Sequence, residues 1–156
     1  SEIIDKMKGI LSHVGAWSPM AEQVAVANFL QNDTDVDLFL ENTKNNIHTR
    51  LQLIYEGFMK LKHEGYPVDA IAPKAAIYLT IKFSLKLKKI NGEKLIETTE
   101  DMSSFLLKNA TLAIVPFCAF GANKESEWYR LSVGTCALED IPIMLDKLSA
   151  ALDLLN

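Results

Sequence analysis

The chain has 156 residues, of which 49% are hydrophobic and 23% are charged, and its formal net charge is −4. This length is enough for one good hydrophobic core or two modest layers. The acidic balance argues against a nucleic-acid-binding domain, which usually presents a basic face. No stretch approaches the roughly 20 apolar residues of a membrane span, and none resembles a signal peptide.

The N-terminal part is predicted to form two short helices. Apolar residues at helical spacing predict the first helix over residues 1–11. Ser18 and Pro19 then form a typical helix start, with Ser18 as the N-cap and Pro19 at the first helical position. The second helix should therefore run over residues 19–30. It is rich in alanine and apolar on most sides, a pattern that is typical of a helix buried against several neighbours.

A long amphipathic pattern predicts one helix from about Asp35 to His63 or Glu64. Roughly thirty residues is long for a helix of a globular protein, so we expect a spine that links two structural layers. Gly57 should cost this helix some stability, and Gly65 is a good C-terminal stop.

The second half of the chain alternates between strand and helix patterns. Strands are predicted over residues 68–71, 75–83, 112–116 and 127–135, helices over 100–109 and about 138–155, and a turn at Asn91-Gly92. Because strands outnumber crossover helices, the expected fold class is α+β, with a mostly antiparallel sheet and helices on one face. Residues 1–35 do not fit into this α+β layer, and their two short apolar helices suggest part of a larger structure.

Arg130 lies in the middle of the predicted strand 127–135. Strand alternation places Tyr129, Leu131 and Val133 on one face, and Trp128, Arg130 and Ser132 on the other. A guanidinium group can clamp a carboxylate through two parallel hydrogen bonds, which lysine cannot do. The alternative is a solvated arginine on an exposed strand face, and the strand by itself favours that alternative.

Other polar residues show no pattern of a known site. The sequence has no glycine-rich phosphate loop, no GxSxG and no HExxH, and its histidines have no metal-ligand spacing. The lysines of residues 82–89 fit a solvated strand and turn better than a phosphate track. Cys118 and Cys136 are expected to be free thiols in a reducing compartment. The sequence also allows a disulfide between them, because only the fold sets the distance between the two residues.

Four blocks of sequence resemble the C-terminal part of fold-type I pyridoxal-phosphate-dependent aminotransferases of the aspartate aminotransferase group. In chain order they are GAWSPMAEQVAVANFL, APKAAIYLTIKF, LLKNATLAIVPFCAFG and WYRLSVGTCALEDI. The resemblance covers essentially the whole chain. It implies that residues 1–35 are a helical remnant of the large, cofactor-binding domain. Residues 36–156 would be the small α+β domain, including a long linking helix over residues 36–64.

The resemblance also implies roles for individual residues. Arg130 would bind the α-carboxylate of the substrate. Ala75 and Ala76 would lie at the edge of the substrate pocket, and Phe120, in the loop 116–121, would lie near the substrate. Many relatives have glycine at the position of Ala75, so its methyl group would narrow the pocket or force the backbone to shift.

The family's Schiff-base lysine lies in a small-residue motif followed by GxRxG, and this sequence contains no such motif. With Ser1 as its first residue, the chain resembles the last two-fifths of a cytoplasmic enzyme. The parent would use pyridoxal phosphate to exchange an amino group between an amino acid and a 2-oxo acid. The chain itself is expected to be inactive and to bind no cofactor tightly.

The sequence also allows two alternative functions and predicts self-association. The chain could be a stand-alone α+β interaction module, or an amino-acid-binding module, of the same ancestry. The apolar faces of the first two helices predict a homodimer or a larger self-association, because a large apolar patch rarely stays free.

Overall fold

The computed structural model describes residues 2–15 and 18–155. The helices are α1 (Glu2–Val14), α2 (Met20–Phe29), α3 (Asp33–His63), α4 (Thr99–Ala110) and α5 (Asp140–Leu152). The strands are β1 (Val68–Ile71), β2 (Tyr78–Phe83), β3 (Lys89–Ile90), β4 (Lys94–Leu95), β5 (Val115–Pro116) and β6 (Trp128–Ser132), and a 3₁₀ turn covers Phe117–Phe120. The chain divides into two compact units, Ser1–Thr43 and Lys44–Asn156.

Four strands form one antiparallel sheet in the order β1-β2-β6-β5, and β3 pairs with β4 in a separate hairpin. The hairpin turns at Asn91 and Gly92, whose φ angles of 50° and 78° are the left-handed values that a tight hairpin turn requires. The predicted fold class, α+β with a mostly antiparallel sheet, is confirmed.

One face of the sheet forms the hydrophobic core. Leu79, Ile81 and Phe83 of β2 and Tyr129 and Leu131 of β6 are buried on this face. They belong to the same cluster as Phe58 of α3, Leu106 of α4 and Leu148 of α5. The alternation predicted for β6 is therefore confirmed, and it leaves Arg130 on the opposite face.

The start of α2 differs from the prediction. Pro19, and not Ser18, is the N-cap residue, and no side chain caps this end of the helix. Pro19 has an extended backbone, with ψ at 147°, so it flanks the helix and does not open it. Its carbonyl accepts a hydrogen bond from the Gln23 amide at 3.1 Å. The prediction that Ser18 caps this helix was wrong.

Helix α3 is continuous over 31 residues and ends at His63, and Gly65, two residues later, has a left-handed φ of 99°. Gly57 lies where α5 approaches α3, because a Cβ atom built there would lie 2.3 Å from Leu145 Cδ1. The missing side chain at Gly57 therefore makes room for Leu145.

Helices α1 and α2 bury none of their residues. Their exposed apolar side chains include Ile3, Ile4, Met7, Ile10, Leu11, Val24 and Phe29. The expectation that α2 is buried is not met in this chain. Within the described ranges, no helix combines the length and the apolar character that a membrane crossing requires.

Candidate functional site

Arg130 projects from an interior strand of the sheet. Its backbone pairs with Thr80 of β2 on one side and with Val115 of β5 on the other. Because both edges of β6 are hydrogen-bonded at this point, the root of the side chain is held in a fixed position. The residue is half-buried on the face away from the core.

The guanidinium group of Arg130 lies between two aromatic rings. Its Cζ atom is 4.3 Å from the ring centroid of Tyr78 and 4.3 Å from that of Phe120. Phe120 also packs edge-to-face on Phe117, with ring centroids 6.3 Å apart. Stacking of this kind stabilises a guanidinium over its flat faces and leaves the N–H donors at its edge free to bond in the plane.

No carboxylate neutralises Arg130, and no acceptor among the described residues takes a hydrogen bond from its guanidinium group. Arg50, the other arginine of the chain, provides a contrast, because its Nε donates to the Cys136 carbonyl at 2.6 Å. The arrangement of Arg130 suits an external carboxylate, which would take two of its N–H groups at once.

The structure brings some of the predicted site residues together and leaves others apart. Phe120 is in contact with Arg130. Ala75 and Ala76 are exposed and line a cavity of about 320 Å³ against α3, with Ile47 and Leu51 on its other wall. Arg130 does not line that cavity.

The left-handed backbone in this segment falls on Ala76, with φ at 63°, and not on Ala75. A positive φ is therefore not what would favour glycine at the position of Ala75. The left-handed backbone at Ala76 bends the chain just before β2, and this bend explains why β2 begins at Tyr78 and not at the predicted residue 75.

Tyr78 is the site residue that the sequence prediction missed. Thr80 is the direct partner of Arg130, so Tyr78 is its diagonal neighbour on the same face of the sheet. The period-2 pattern puts Tyr78 and Thr80 on one face of β2. Tyr78 could therefore have been found from the sequence only if the β2–β6 register had been known.

Both cysteines are free thiols and are half-buried. Burial raises the pKa of the Cys136 thiol above its ordinary value, and its Sγ donates to the Ala137 carbonyl at 3.3 Å. Cys118 lies in the 3₁₀ turn, with its Sγ 3.9 Å from Thr99 Oγ1.

The model of the family described as aminotransferase class I and II matches residues 1–148 of this chain. The chain belongs to the class I and II aminotransferases. Aspartate aminotransferase from Rhizobium meliloti (strain 1021) is 28% identical over 156 residues, which are 99% of this chain and 35% of the relative. This aminotransferase chain thus spans about a third of the length of that curated relative.

Solved aminotransferases share the fold. The crystal structure of the R. meliloti aspartate aminotransferase matches 76% of this chain and 28% of its own, with 27% identity and a TM-score of 0.64. The aromatic aminotransferase Aro9 from C. albicans matches 98% of this chain and 34% of its own, with 23% identity and a TM-score of 0.66. The resemblance to a partial fold-type I aminotransferase is therefore confirmed.

The family implies pyridoxal phosphate as the cofactor of the complete enzyme. Around Arg130 the described contacts are the rings of Tyr78 and Phe120, which offer neither an amine nor a carboxylate. The sequence also lacks a lysine motif followed by GxRxG. The contacts described around Arg130 therefore supply no group that would hold this cofactor.

Proposed function

We propose that this chain is the C-terminal part of a pyridoxal-phosphate-dependent aminotransferase that transfers an amino group between an amino acid and a 2-oxo acid. In this proposal residues 1–35 belong to the large domain. Residues 36–156, with the linking helix 36–64, belong to the small domain. The match of nearly the whole chain to about a third of an aspartate aminotransferase supports this assignment.

The observation that carries the proposal is the environment of Arg130. A half-buried guanidinium lies between Tyr78 and Phe120 and has no carboxylate partner among the described residues. We assign Arg130 as the group that binds the substrate α-carboxylate. Ala75 and Ala76 are proposed to border the substrate pocket, and Phe120 to cover the guanidinium near the substrate.

The expected contribution of Arg130 follows from the bond type. A hydrogen bond to a charged group contributes about 1.5–3 kcal/mol, which corresponds to roughly a 10- to 100-fold change in affinity. Lysine keeps the charge of arginine but not its two parallel donors. Arg130→Lys should therefore lose a large part of the carboxylate affinity even though the net charge is unchanged.

The chain alone is proposed to be inactive, because it carries no lysine motif for the cofactor. To test this, the chain is incubated with pyridoxal phosphate, treated with borohydride and digested for mass spectrometry. We expect no stoichiometric adduct at any single lysine and no aminotransferase turnover. A full equivalent of adduct at one lysine would contradict the proposal.

A chimera tests the function directly. The segment of the R. meliloti aspartate aminotransferase that aligns with this chain is replaced by residues 1–156. We expect the chimera to transfer amino groups from a dicarboxylic or an aromatic amino acid to 2-oxoglutarate, and Arg130→Lys to lower kcat/KM about 100-fold. Arg50→Lys is the matched control and should keep kcat/KM within a few-fold.

The chimera assay has two opposing outcomes. A chimera that holds the cofactor with the normal absorbance but shows no transfer would contradict the aminotransferase assignment. Equal activity of the Arg130→Lys and Arg50→Lys chimeras would contradict the role of Arg130.

The second candidate is a stand-alone binding module of the same ancestry. It is favoured by the unit Lys44–Asn156, which contains every core residue described from Leu51 to Leu152 and also holds Arg130. The encoding gene separates the two candidates. An upstream reading frame that is continuous with Ser1 and carries the lysine motif supports the enzyme, and a start codon at that point supports the module.

The parent is further proposed to be cytoplasmic and to act as a homodimer or larger assembly. The free thiols of Cys118 and Cys136 support a reducing compartment. The exposed apolar side chains of α1 and α2 support association.

A further inference from the structure

A cavity of about 540 Å³ opens beside the N-terminus of α4, on the side of β6 that carries Tyr129. Its walls come from α4, the 3₁₀ turn and the segment 124–127. This volume lies within the range of sites that hold small molecules. The cavity is separate from the one that Ala75 and Ala76 line.

Tyr129 presents an unpartnered polar group to this cavity. The residue is 2% exposed and lines the cavity wall, and its ring packs edge-to-face on Phe83 at 6.0 Å. The hydroxyl forms no hydrogen bond with any of the described residues. The described residues include no fully buried side-chain oxygen without a partner, so the hydroxyl oxygen reaches the open space of the cavity, where a ligand or solvent can bond to it.

The charged side chains around the cavity are mostly acidic. Four carboxylates line it, those of Glu97, Glu100, Glu125 and Glu127, against the ammonium groups of Lys86 and Lys124. Lys86 is already engaged in an ion pair with Glu125. Glu97 and Glu100 have no cationic partner among the described residues.

Two of these carboxylates have an oxygen available to a ligand. Glu127 accepts from Ser84 at 2.8 Å and pairs with Lys82 at 3.3 Å, and both contacts use Oε2, which leaves Oε1 open. Thr99 Oγ1 donates to Glu100 Oε2 at 3.2 Å and lies 3.9 Å from Cys118 Sγ. Thr99 thus holds the Glu100 carboxylate near the thiol.

The electrostatic surroundings of Tyr129 agree with this geometry. Burial raises the pKa of its hydroxyl to about 12, and the nearby Cys118, Glu127 and Glu100 add to the shift. The hydroxyl therefore stays neutral at ordinary pH and offers a lone pair beside the carboxylates of Glu100 and Glu127. Phe83, Ile96 and Met102 provide a buried apolar wall beside it.

We propose that this cavity binds a small primary amine with an apolar body. The three N–H donors of an ammonium group match three acceptors, namely the Glu100 carboxylate, Glu127 Oε1 and the Tyr129 hydroxyl oxygen. The apolar body lies against Phe83 and Met102. Carboxylates at this position offset the cost of taking the ammonium charge partly out of water. The proposed aminotransferase function does not require this site, so the inference goes beyond it.

Cys118 provides a direct readout, since it lines the cavity and Cys136 does not. The full chain is alkylated with iodoacetamide in increasing concentrations of benzylamine, and the rate at each cysteine is followed by peptide mass spectrometry. We expect benzylamine to slow alkylation of Cys118 saturably and to leave Cys136 unchanged. Benzyl alcohol, which has the same ring but no charge, should give no protection at the same concentrations.

Variants test the acceptors. Glu100→Gln should weaken benzylamine binding about 10-fold, and Tyr129→Phe about 5-fold. Glu93→Gln, outside the cavity, is the matched control and should bind as the unchanged chain does. Glu100 is exposed, so Glu100→Gln keeps the test valid even if Tyr129→Phe fails to fold.

Three results would overturn the proposal. They are protection of Cys118 that does not saturate, equal protection by benzyl alcohol or by benzoate, and unchanged benzylamine affinity in Glu100→Gln.

Discussion

Ala76 adopts a backbone conformation that costs an L-residue free energy. Its φ of 63° lies in the left-handed region, whereas Ala75 beside it has no positive φ. Glycine at position 76 relieves that strain, while glycine at position 75 adds freedom to the unfolded chain without relieving any. Ala76→Gly should raise the free energy of unfolding by about 0.5–1 kcal/mol, and Ala75→Gly should lower it by about as much.

Urea unfolding of these two exposed variants measures the difference. Because both changes remove one methyl group from neighbouring residues, each is the control for the other. A lower stability of Ala76→Gly than of Ala75→Gly would contradict the assigned backbone conformation.

Tyr129 should make stability depend on pH in the alkaline range. Its pKa is raised from 10.0 to about 12 in the folded chain, so the folded state keeps a proton that the unfolded state loses above pH 10. The contribution is present below pH 10 and is lost between about pH 10 and 12, at most about 2 kcal/mol. Tyr129→Phe should remove this part of the alkaline loss.

Unfolding in urea at pH 8 and at several values up to pH 11.5 tests this expectation. Tyr66, whose pKa is also raised by its hydrogen bond to Asp153, is present in both chains and cancels in the comparison. Equal pH dependence in the two chains would rule out burial of the Tyr129 side chain as the cause of its raised pKa.

For the side chains around Arg130, the sequence predicts the face of the sheet on which each side chain lies but not which side chains touch. Strand alternation alone placed Arg130 opposite Tyr129, because the side-chain period of two is a local property. The ring of Tyr78 over the guanidinium depends on the β2–β6 register. That register joins residues about fifty positions apart, and no local pattern specifies it.

Helices α3 and α5 meet at Gly57 and Leu145. Alanine at position 57 would gain about 1 kcal/mol in helix propensity. Its Cβ, however, would lie 2.3 Å from Leu145 Cδ1 and 2.6 Å from Cδ2, and such overpacking costs about 1–3 kcal/mol. The cost of overpacking should exceed the gain in helix propensity, so Gly57→Ala should lower the free energy of unfolding by roughly 1 kcal/mol.

A double-mutant cycle with Leu145→Ala checks the cause. The Gly57→Ala/Leu145→Ala chain should be more stable than the sum of the single changes predicts, because the shortened side chain makes room. Gly9→Ala is the control, since a Cβ at that position meets nothing within 4 Å, and it should raise helix content in circular dichroism. Additive effects in the cycle would exclude the clash.

The start of helix α4 can be predicted from local sequence, whereas the bounds of strand β5 cannot. Thr98 caps α4 in a capping box with Asp101, and the run Thr98-Thr99-Glu100-Asp101 contains the residues that form it. The strand predicted over residues 112–116 is shorter in the structure, where it covers only Val115–Pro116. Its pairing with β6 is limited to two residues, Val115 with Arg130 and Pro116 with Tyr129, and the chain enters the 3₁₀ turn at Phe117 directly afterwards.

The exposed apolar stripe of α1 should govern the assembly of the chain. Ile3 is 72% exposed and Ile10 is 62% exposed, on a helix that buries none of its residues. We expect a dimer or larger species in light scattering after size-exclusion chromatography. Met7→Lys with Ile10→Lys should shift it to monomer, and Lys6→Gln with Lys8→Gln should not. A monomeric parent chain would contradict the expectation.

In the whole molecule Arg130 should act as an open carboxylate clamp, and a titration followed by NMR can measure this binding. The chain has two arginines, so the Nε–Hε region of a ¹H–¹⁵N spectrum should contain two resonances. On addition of 2-oxoglutarate, we expect a saturable shift of the Arg130 resonance and none of the Arg50 resonance. Arg130→Lys should weaken binding at least about 10-fold, with Arg50→Lys unchanged. Equal affinity in the two variants, or no saturable shift of the Arg130 resonance, would rule out Arg130 as the group that binds the carboxylate.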